Sequence, residues 1–334
     1  MIIHGQYCSL PKEKGRYMNS AQIPIPTKIS LVKWMLRKLR KKTKGNVRTD
    51  IPLDYRFPKE SLIIHPDYPT ARWMGHSTFL LDINGINILT DPVWSERCSP
   101  FQGFGPKRTH EMPCAIADLP RIDYVLISHN HFDHLDSATV KALNKRFPDI
   151  VWIVPVGVRR FLEKRGVAQI IQLKWWQDIQ LENGLKVTAT PSQHWSGRGL
   201  FDVNKSLWCG FVIEGSRKNE QRCSCYFAGD TGYNERDFKQ IGGHFGGVDL
   251  ALLPIGAYEP NILLKSCHVN PSEAVKIHLD VGSKLSLSMH WKTFPTLTDE
   301  HPEQPPYELQ QALLEAEVPH AHFRVLDPGE RINW

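Results

Sequence analysis

The feature that most constrains this chain is a cluster of three histidines and an aspartate within six residues, His129-Asn130-His131-Phe132-Asp133-His134. The apolar run just before it, Val125–Ser128, has the pattern of a buried strand, and a helix-like segment follows. The cluster is therefore predicted to lie on a strand-to-helix loop, where alternate side chains can face two centres. Imidazole and carboxylate groups bind zinc, and also iron or manganese. We predict one metal at His129 and His131 and a second at Asp133 and His134.

A site for two metals needs more ligands than this loop supplies. Three residues elsewhere each follow a strand candidate, and they are His194, Asp230 and His290. The small neighbours of Asp230 in Ala228-Gly229-Asp230-Thr231-Gly232 would let the backbone approach a metal closely. Each residue alone could equally be a structural polar group. Together with the cluster, they are candidate ligands.

Strand-like and helix-like segments alternate from Ala71 onward. Thr78–Leu81 and Ile86–Thr90 flank Asn84-Gly85, which predicts a β-hairpin. Further strands are predicted at Tyr124–Ser128, Val151–Pro155, Lys186–Ala189, Gly210–Glu214, Tyr226–Ala228, Leu250–Leu253 and Leu285–Met289. Helices are predicted at Ser137–Phe147 with a Ser137 N-cap, and at Val158–Lys164, Pro271–Leu279 and Pro306–Ala316. This mixture predicts a layered α/β or α+β domain.

Residues 1 to about 60 differ in composition, being rich in Pro, Lys and Arg, and we interpret them as an N-terminal arm before a domain at 61–334. Within the arm, Ser30–Lys44 would place four apolar side chains on one stripe of a helix, beside seven Lys and Arg residues; the four are Leu31, Trp34, Met35 and Leu39. That pattern suits a helix drawn to an anionic membrane surface. A helix packed on the domain is the equal alternative, and nucleic acid is a weaker one.

Composition sets the remaining bounds. The net charge of +6 favours an anionic partner without choosing one, and no apolar stretch reaches the length of a membrane-spanning helix. No secretory signal is evident at the N-terminus. The seven cysteines are scattered, which predicts reduced thiols in the cytoplasm. Peripheral attachment to the inner face of the membrane and a homodimer both stay open.

The order of these motifs resembles the metallo-β-lactamase superfamily: His-x-His-x-Asp-His, a distant His, Gly-Asp-Thr and a late His. Several segments resemble, more closely, the branch that contains N-acylphosphatidylethanolamine-hydrolysing phospholipase D. They include Gly15–Asn19, Trp73–Thr78, Leu89–Val93, Gly105–Arg108, Pro254–Pro260, His268–Ala274 and Met289–Trp291. The resemblance runs in order over nearly the whole chain.

The resemblance implies an α+β fold, a four-layer αββα sandwich with its metal site at the ends of the sheets. It implies two Zn²⁺ ions, one held by His129, His131 and His194 and the other by Asp133, His134 and His290, with Asp230 bridging them. It further implies hydrolysis of a phospholipid phosphodiester to phosphatidate and an N-acylethanolamine, because a metal pair can activate water for attack on phosphorus.

The resemblance also assigns roles beside the metals. Asp133 would orient the attacking hydroxide, and His268 would contact the phosphodiester or protonate the leaving oxygen. Phe132 stands where the family usually has a substrate-contacting tyrosine, so it keeps the ring but loses a hydroxyl. His76 and Asp91, at strand ends, are candidates to orient metal ligands, with ordinary turn capping as the alternative.

Other functions remain to be weighed. The same fold hosts hydrolases of sugar lactones, cyclic phosphodiesters and nucleic acids, so the fold alone does not select a substrate. No large inserted nuclease domain is evident between Gly197 and Ala228, which disfavours a nuclease. A non-catalytic membrane-associated protein is a third possibility, disfavoured by the complete set of candidate ligands.

Overall fold

The structure is a computed structural model that describes residues 3–4, 10–21, 67–181, 184–199 and 201–334. The predicted amphipathic helix at Ser30–Lys44 lies outside the described residues. No helix in the described ranges is long and apolar enough to cross a membrane.

Seventeen short strands in these ranges form two large mixed sheets and one small hairpin. The seven-stranded sheet has the order β17-β4-β5-β6-β7-β8-β9. Its strands are β4 (Thr70–Gly75), β5 (Thr78–Ile83), β6 (Ile86–Thr90), β7 (Tyr124–Leu126), β8 (Val151–Pro155), β9 (Ile170–Leu173) and β17 (Arg331–Asn333). Pairing is antiparallel from β17 to β6 and parallel from β6 to β9.

The eight-stranded sheet has the order β1-β10-β11-β12-β13-β14-β15-β16. Its strands are β1 (Ile3–His4), β10 (Asp178–Gln180), β11 (Lys186–Thr190), β12 (Gly210–Ser216), β13 (Arg222–Phe227), β14 (Val248–Pro254), β15 (Ser283–Met289) and β16 (Phe323–Arg324). Pairing is antiparallel from β1 to β13 and parallel from β13 to β16. The separate hairpin consists of β2 (Lys12–Glu13) and β3 (Arg16–Tyr17).

Six α-helices are described: α1 (Ser137–Arg146), α2 (Arg159–Glu163), α3 (Glu235–Phe245), α4 (Asn261–Leu264), α5 (Pro271–Asp280) and α6 (Gln304–Glu315). Two short 3₁₀ helices lie at Ile116–Asp118 and His320–His322. Helix α5 begins with a capping box: the Asn270 side chain accepts from the Glu273 backbone N–H, and the Glu273 side chain accepts from the Asn270 N–H. The predicted start at Pro271 is thus confirmed.

The elements stack in four layers. Between the sheets, Leu81 and Ile153 from one side join Phe211 and Ile213 from the other in a fully buried core. On the outer face of the seven-stranded sheet, Trp152 belongs to a second core that α1 and α2 cover. Helices α3, α5 and α6 contribute to the core on the outer side of the eight-stranded sheet. The predicted αββα sandwich is confirmed.

Local sequence signals explain much of this fold. The predicted hairpin is confirmed: β5 and β6 pair with Ile83 opposite Ile86, and Asn84 and Gly85 both have positive φ. One detail was wrong. The N-cap of α1 is Asp136, whose carboxylate accepts from the backbone N–H groups of Ala138 and Thr139, and Ser137 is the first helical residue.

Chain direction brings the chemically active loops together. In the parallel parts of both sheets, the carboxyl ends of neighbouring strands meet at one edge, which we call the carboxyl edge. Strand β11 is antiparallel to β12, which is antiparallel to β13, so β11 ends at this edge too. The loops after β7, β11, β13 and β15 carry the predicted metal ligands.

Candidate metal centre

The first ligand group is His129, His131 and His194, whose nitrogens converge from two loops. His129 Nε2 lies 2.8 Å from His131 Nδ1, and His194 Nε2 lies 3.2 Å from the same atom. His129 and His194 are fully buried. The structure therefore unites two residues of the six-residue cluster with a histidine over sixty positions away, on the opposite sheet.

The second ligand group is Asp133, His134 and His290. The Nε2 atoms of His134 and His290 each lie 3.5 Å from Asp133 Oδ2. His76 approaches the same oxygen, with its Nε2 at 3.1 Å, so it borders this group directly.

Asp230 lies between the two groups. Its Oδ2 is 3.1 Å from Nε2 of both His134 and His290 in the second group. It is also 3.9 Å from His129 Nε2 and 3.8 Å from His194 Nε2 in the first group. A single carboxylate thus contacts both sets of imidazoles.

The donor set suits divalent cations. Within the described residues, Asp230 Oδ1 is buried without a hydrogen-bond partner. The Nε2 atoms of His134 and His290 face carboxylates but also lack hydrogen-bond geometry. Buried polar atoms are ordinarily satisfied, so three such atoms in one cluster indicate an absent partner. Imidazole nitrogens and carboxylate oxygens are ligands for a divalent metal.

Comparison with known proteins agrees with this reading. The family model for a beta-lactamase superfamily domain matches residues 86–291. The chain belongs to the metallo-β-lactamase superfamily. It is 38% identical over 270 residues to N-acyl-phosphatidylethanolamine-hydrolyzing phospholipase D 1 of Caenorhabditis elegans, across 78% of this chain and 74% of that protein.

One further relative points to metal-dependent hydrolysis, and a solved structure shares the fold. A metal-dependent hydrolase of Caldivirga maquilingensis is 30% identical over 262 residues, across 78% of this chain and 96% of that protein. A solved metallo hydrolase from the hyperthermophilic archaeon Ignicoccus hospitalis shares the fold, with a TM-score of 0.60 and 23% identity across 80% of this chain and 98% of that chain. The chain is thus a metal-dependent hydrolase of the superfamily.

Burial sets the protonation of the first ligand group in this hydrolase. Desolvation lowers the pKa of His131 and of His194 to about 3. Desolvation, with repulsion from His134 and His131, also holds the pKa of His129 well below its usual value. Neutral imidazoles result, and neutral imidazole is the form that binds a metal.

The carboxylates of the hydrolase behave differently. Burial alone would raise the pKa of Asp230, but the adjacent His134 and His290 hold it well below the usual value. The pKa of Asp133 is lowered for the same reason, against its own burial, with His134 as the main cause. Both side chains are therefore ionised and available as ligands.

Neighbouring groups hold the ligand rings in place. Asp91 Oδ2 accepts from His134 Nδ1 at 2.6 Å, and both Asp91 oxygens accept from Ser128, at 2.7 Å from its N–H and 2.5 Å from its hydroxyl. The backbone carbonyl of Cys267 accepts from His194 Nδ1 at 2.8 Å. Asp91 thus contacts a candidate ligand, and its metal-orienting role stays a prediction.

Three residues of the site have left-handed backbone conformations that non-glycine residues rarely adopt. His76, Asp91 and His290 have φ values of 52°, 32° and 61°. The carbonyl of His76 accepts the His290 N–H at 3.0 Å, so two of these strained positions support each other. Such strain concentrates at functional sites.

The structure also places the predicted substrate-side residues. His268 is slightly exposed, with its Nδ1 3.9 Å from Asp230 Oδ2 and without a hydrogen-bond partner. Burial lowers the pKa of His268 to about 3. The Phe132 ring faces the Arg198 guanidinium, whose central carbon lies 4.0 Å from the ring centroid.

Two supporting residues were not predicted. Arg198 Nη1 donates to the backbone carbonyls of Asn130, His131 and Leu135 at 2.9, 3.2 and 2.7 Å, which ties the metal loop to the loop after His194. Asn19 Oδ1 accepts from the His194 N–H at 3.0 Å. Asn19 lies in Gly15–Asn19, a segment singled out by resemblance, whereas Arg198 lies in none of those segments. An isolated arginine or asparagine carries no sequence signal of such a contact.

Proposed function

We propose that this chain is a dinuclear zinc phosphodiesterase of phospholipase D type. It would hydrolyse N-acylphosphatidylethanolamine-like phospholipids to phosphatidate and N-acylethanolamine. The observation that carries the dinuclear site is Asp230 Oδ2, which contacts imidazoles of both ligand groups. The substrate rests on similarity to the nematode protein that bears this activity in its name.

The two ligand groups would hold one ion each. His129, His131 and His194 would bind the first, Asp133, His134 and His290 the second, and Asp230 both. Five imidazoles against two carboxylates favour zinc over harder, oxygen-preferring ions. When bound, a pair of such ions lowers the pKa of a water and polarises a phosphoryl oxygen.

The chain's own side chains would position the reactants. Asp133 would orient the attacking water, and His76, 3.1 Å from its Oδ2, fixes the rotation of that carboxylate. Asp91 fixes the ring of His134. Because these contacts exist within the folded chain, little reorganisation is needed when substrate arrives.

His268 is placed to act on the phosphodiester. It is buried enough for its Nδ1 to be shielded from water, yet its side chain is 14% exposed, so one side of the ring can meet a ligand. With its pKa lowered to about 3 the ring is neutral near pH 7, so it can donate a hydrogen bond to a phosphate oxygen, and the low pKa disfavours passing a proton to the leaving oxygen. Phe132 cannot donate a similar bond and would provide only an apolar contact.

Turnover of a substrate panel by metal-characterised protein tests the proposal. N-acylphosphatidylethanolamine should be cleaved to phosphatidate, and phosphatidylcholine, a cyclic nucleotide and RNA should be poorer substrates. Cleavage of RNA or the cyclic nucleotide without any lipid turnover would refute the lipid assignment. Metal analysis of the same protein should find two zinc ions per chain.

Replacing His268 by alanine tests its role. We expect kcat to fall by roughly 10²- to 10³-fold, the range for loss of one hydrogen-bond donor to the transition state, while zinc content stays at the wild-type level. His322→Ala, an exposed histidine remote from the loops of the site, is the matched control and should keep full kcat. An unchanged kcat in His268→Ala would exclude a role in the chemical step.

A further inference from the structure

Four large apolar side chains are exposed at the carboxyl edge, three on loops and one on the short helix α4. Phe101 is 73% exposed, Phe104 69%, Phe201 79% and Ile262 94%. Exposing a phenylalanine or isoleucine to this extent costs the stabilisation that burial would provide. Grouped exposure of this kind commonly marks an interaction surface.

The topology places these side chains around the metal centre. Phe101 and Phe104 lie on the loop that follows β6 and begins at Asp91. Phe201 follows β11 on the loop of His194, and Ile262 follows β14 on the short helix before His268. Because β6, β11 and β14 all end at the carboxyl edge, the three segments that follow them surround the same site. We call the surface formed by Phe101, Phe104, Phe201 and Ile262 the rim.

A basic groove adjoins the rim. Its lining contains five cations and one acid, which are Arg160, Lys164, Arg165, Arg198, Lys205 and Asp202. Asn130 of the metal loop also lines it, and Asp202 directly follows Phe201. Positive charge therefore lies beside Phe201 and next to the metal loop.

We propose that this rim docks on an anionic lipid bilayer. Phe101, Phe104, Phe201 and Ile262 would enter the headgroup–acyl boundary, while Arg160, Lys164 and Lys205 would contact lipid phosphates. Apolar side chains flanked by cations are the combination that binds anionic membrane surfaces. The inference rests on the proposed lipid substrate for its purpose, since it turns the metal centre toward the bilayer.

A second copy of the chain is a poorer occupant of the same surface. A two-fold contact would bring the basic groove of one protomer toward the basic groove of the other. Like charges facing each other oppose association. An anionic bilayer instead offers charge complementarity together with an apolar layer.

Vesicle binding by the full chain tests the inference without any turnover. Phe101→Ser/Phe104→Ser/Phe201→Ser should bind mixed phosphatidylcholine–phosphatidylglycerol vesicles at least tenfold more weakly than the wild type in sedimentation. The matched control is Leu279→Ser/Leu314→Ser, which removes exposed apolar groups near the C-terminal ends of α5 and α6, away from the carboxyl edge. Equal loss in both variants, or no loss in either, would overturn the inference.

The cations have their own test. Arg160→Gln/Lys164→Gln/Lys205→Gln should weaken binding by roughly fivefold per residue removed, and phosphatidylcholine vesicles alone should bind poorly. Lys145→Gln/Lys218→Gln/Arg222→Gln removes as many exposed charges at the opposite edge and should bind as the wild type does. Equal binding by the two triple variants contradicts the proposal.

A fluorescent label at a single residue distinguishes membrane contact by the rim from membrane contact by the basic N-terminal segment. A polarity-sensitive fluorophore on Phe201→Cys, with Cys8 and Cys114 changed to Ser, should shift its emission to the blue when vesicles are added. The same label on Leu279→Cys should not shift. Unchanged emission at residue 201, or a wild-type dimer that these rim variants dissociate, would overturn bilayer docking.

Activity distinguishes this inference from the proposed function. The rim variants should lose turnover of vesicle substrate but keep turnover of a monomeric short-chain phosphodiester. If no lipid is cleaved at all but the rim variants bind vesicles more weakly than the wild type, the proposed function fails and the docking inference stands. If lipid is cleaved and the rim variants bind as the wild type does, the docking inference fails alone.

Discussion

At the scale of single residues, the ring nitrogen that faces away from the centre decides the position of a ligand histidine. His134 uses Nδ1 to bond Asp91, and His194 uses Nδ1 to bond the Cys267 carbonyl. In each ring, Nε2 is thereby directed at Asp230. Such contacts fix both the tautomer and the orientation of a metal-binding imidazole.

Asp91→Asn tests this arrangement. The amide keeps the size of the side chain but removes the charge that favours His134 as a ligand, so zinc affinity should fall by roughly 10- to 100-fold. Competition with a chelator of known affinity measures the change. Asp149→Asn, at an exposed carboxylate, is the control. Equal zinc affinity in the two variants would show that Asp91 only caps its turn.

Residues differed in how far the sequence could predict them. His129 to His134 could be found because four candidate ligands are adjacent in sequence. His194, Asp230 and His290 became candidates only because the cluster needed partners, since one histidine or aspartate after a strand is common, and the resemblance then assigned them to the two metals. Asn19 was not predicted as a partner of His194, since a contact across more than 170 residues leaves no local pattern.

At the scale of elements, helices α3 and α5 cross so closely that one glycine has no room for a side chain. A Cβ on Gly242 would overlap the carbonyl oxygen of Asp280 and press on Val281. A Cβ on the adjacent Gly243 would meet nothing within 4 Å. The crossing explains why the helix retains Gly242 despite its poor helix propensity, but it does not explain Gly243.

These neighbours make a matched pair for a stability experiment. Gly242→Ala should lower the free energy of unfolding by about 1–3 kcal/mol, because the helices must separate. Gly243→Ala should raise it by about 0.5–1 kcal/mol, because alanine favours the helix. Denaturant unfolding measures both. A stabilising Gly242→Ala would mean that the crossing readily relaxes.

Elements were predictable where local signals were strong. Turn residues Asn84-Gly85 and the start at Pro271 located a hairpin and a helix correctly. Helix α3 (Glu235–Phe245) was not predicted, because Gly242 and Gly243 weaken its helical pattern and tertiary packing supplies the stability instead. The cap of α1 was misplaced by one residue because Asp136 and Ser137 are both good N-caps.

At the scale of the whole molecule, the centre joins the two sheets. Asp133 and His134 extend from the seven-stranded sheet, whereas His194, Asp230 and His290 extend from the eight-stranded one. A metal bound by residues from both sheets would resist separation of the two sheets. The sandwich itself followed only from resemblance, since alternating strands and helices allow several layered folds.

Removing the metal should therefore lower global stability. With free zinc at about a hundredfold above its Kd, binding stabilises the fold by ~2.7 kcal/mol, and a chelator should remove that contribution and lower Tm. Calorimetry before and after dialysis against chelator measures the shift, and added zinc should restore it. A Tm that is unchanged after metal analysis shows complete removal would contradict a bridging role.

The contact between Asn19 and His194 determines what would happen if the chain were cut between residues 22 and 66. Residues 10–21 are held against the domain by Asn19 and by the Tyr17 N–H, which donates to Asn204 at 2.8 Å. From residue 70 the chain is held again, as β4. The polypeptide is thus fastened on both sides of 22–66, so a single break in that interval would leave two pieces attached at the site. The first piece would then be joined to the second only by non-covalent contacts such as these, one of which ends at His194.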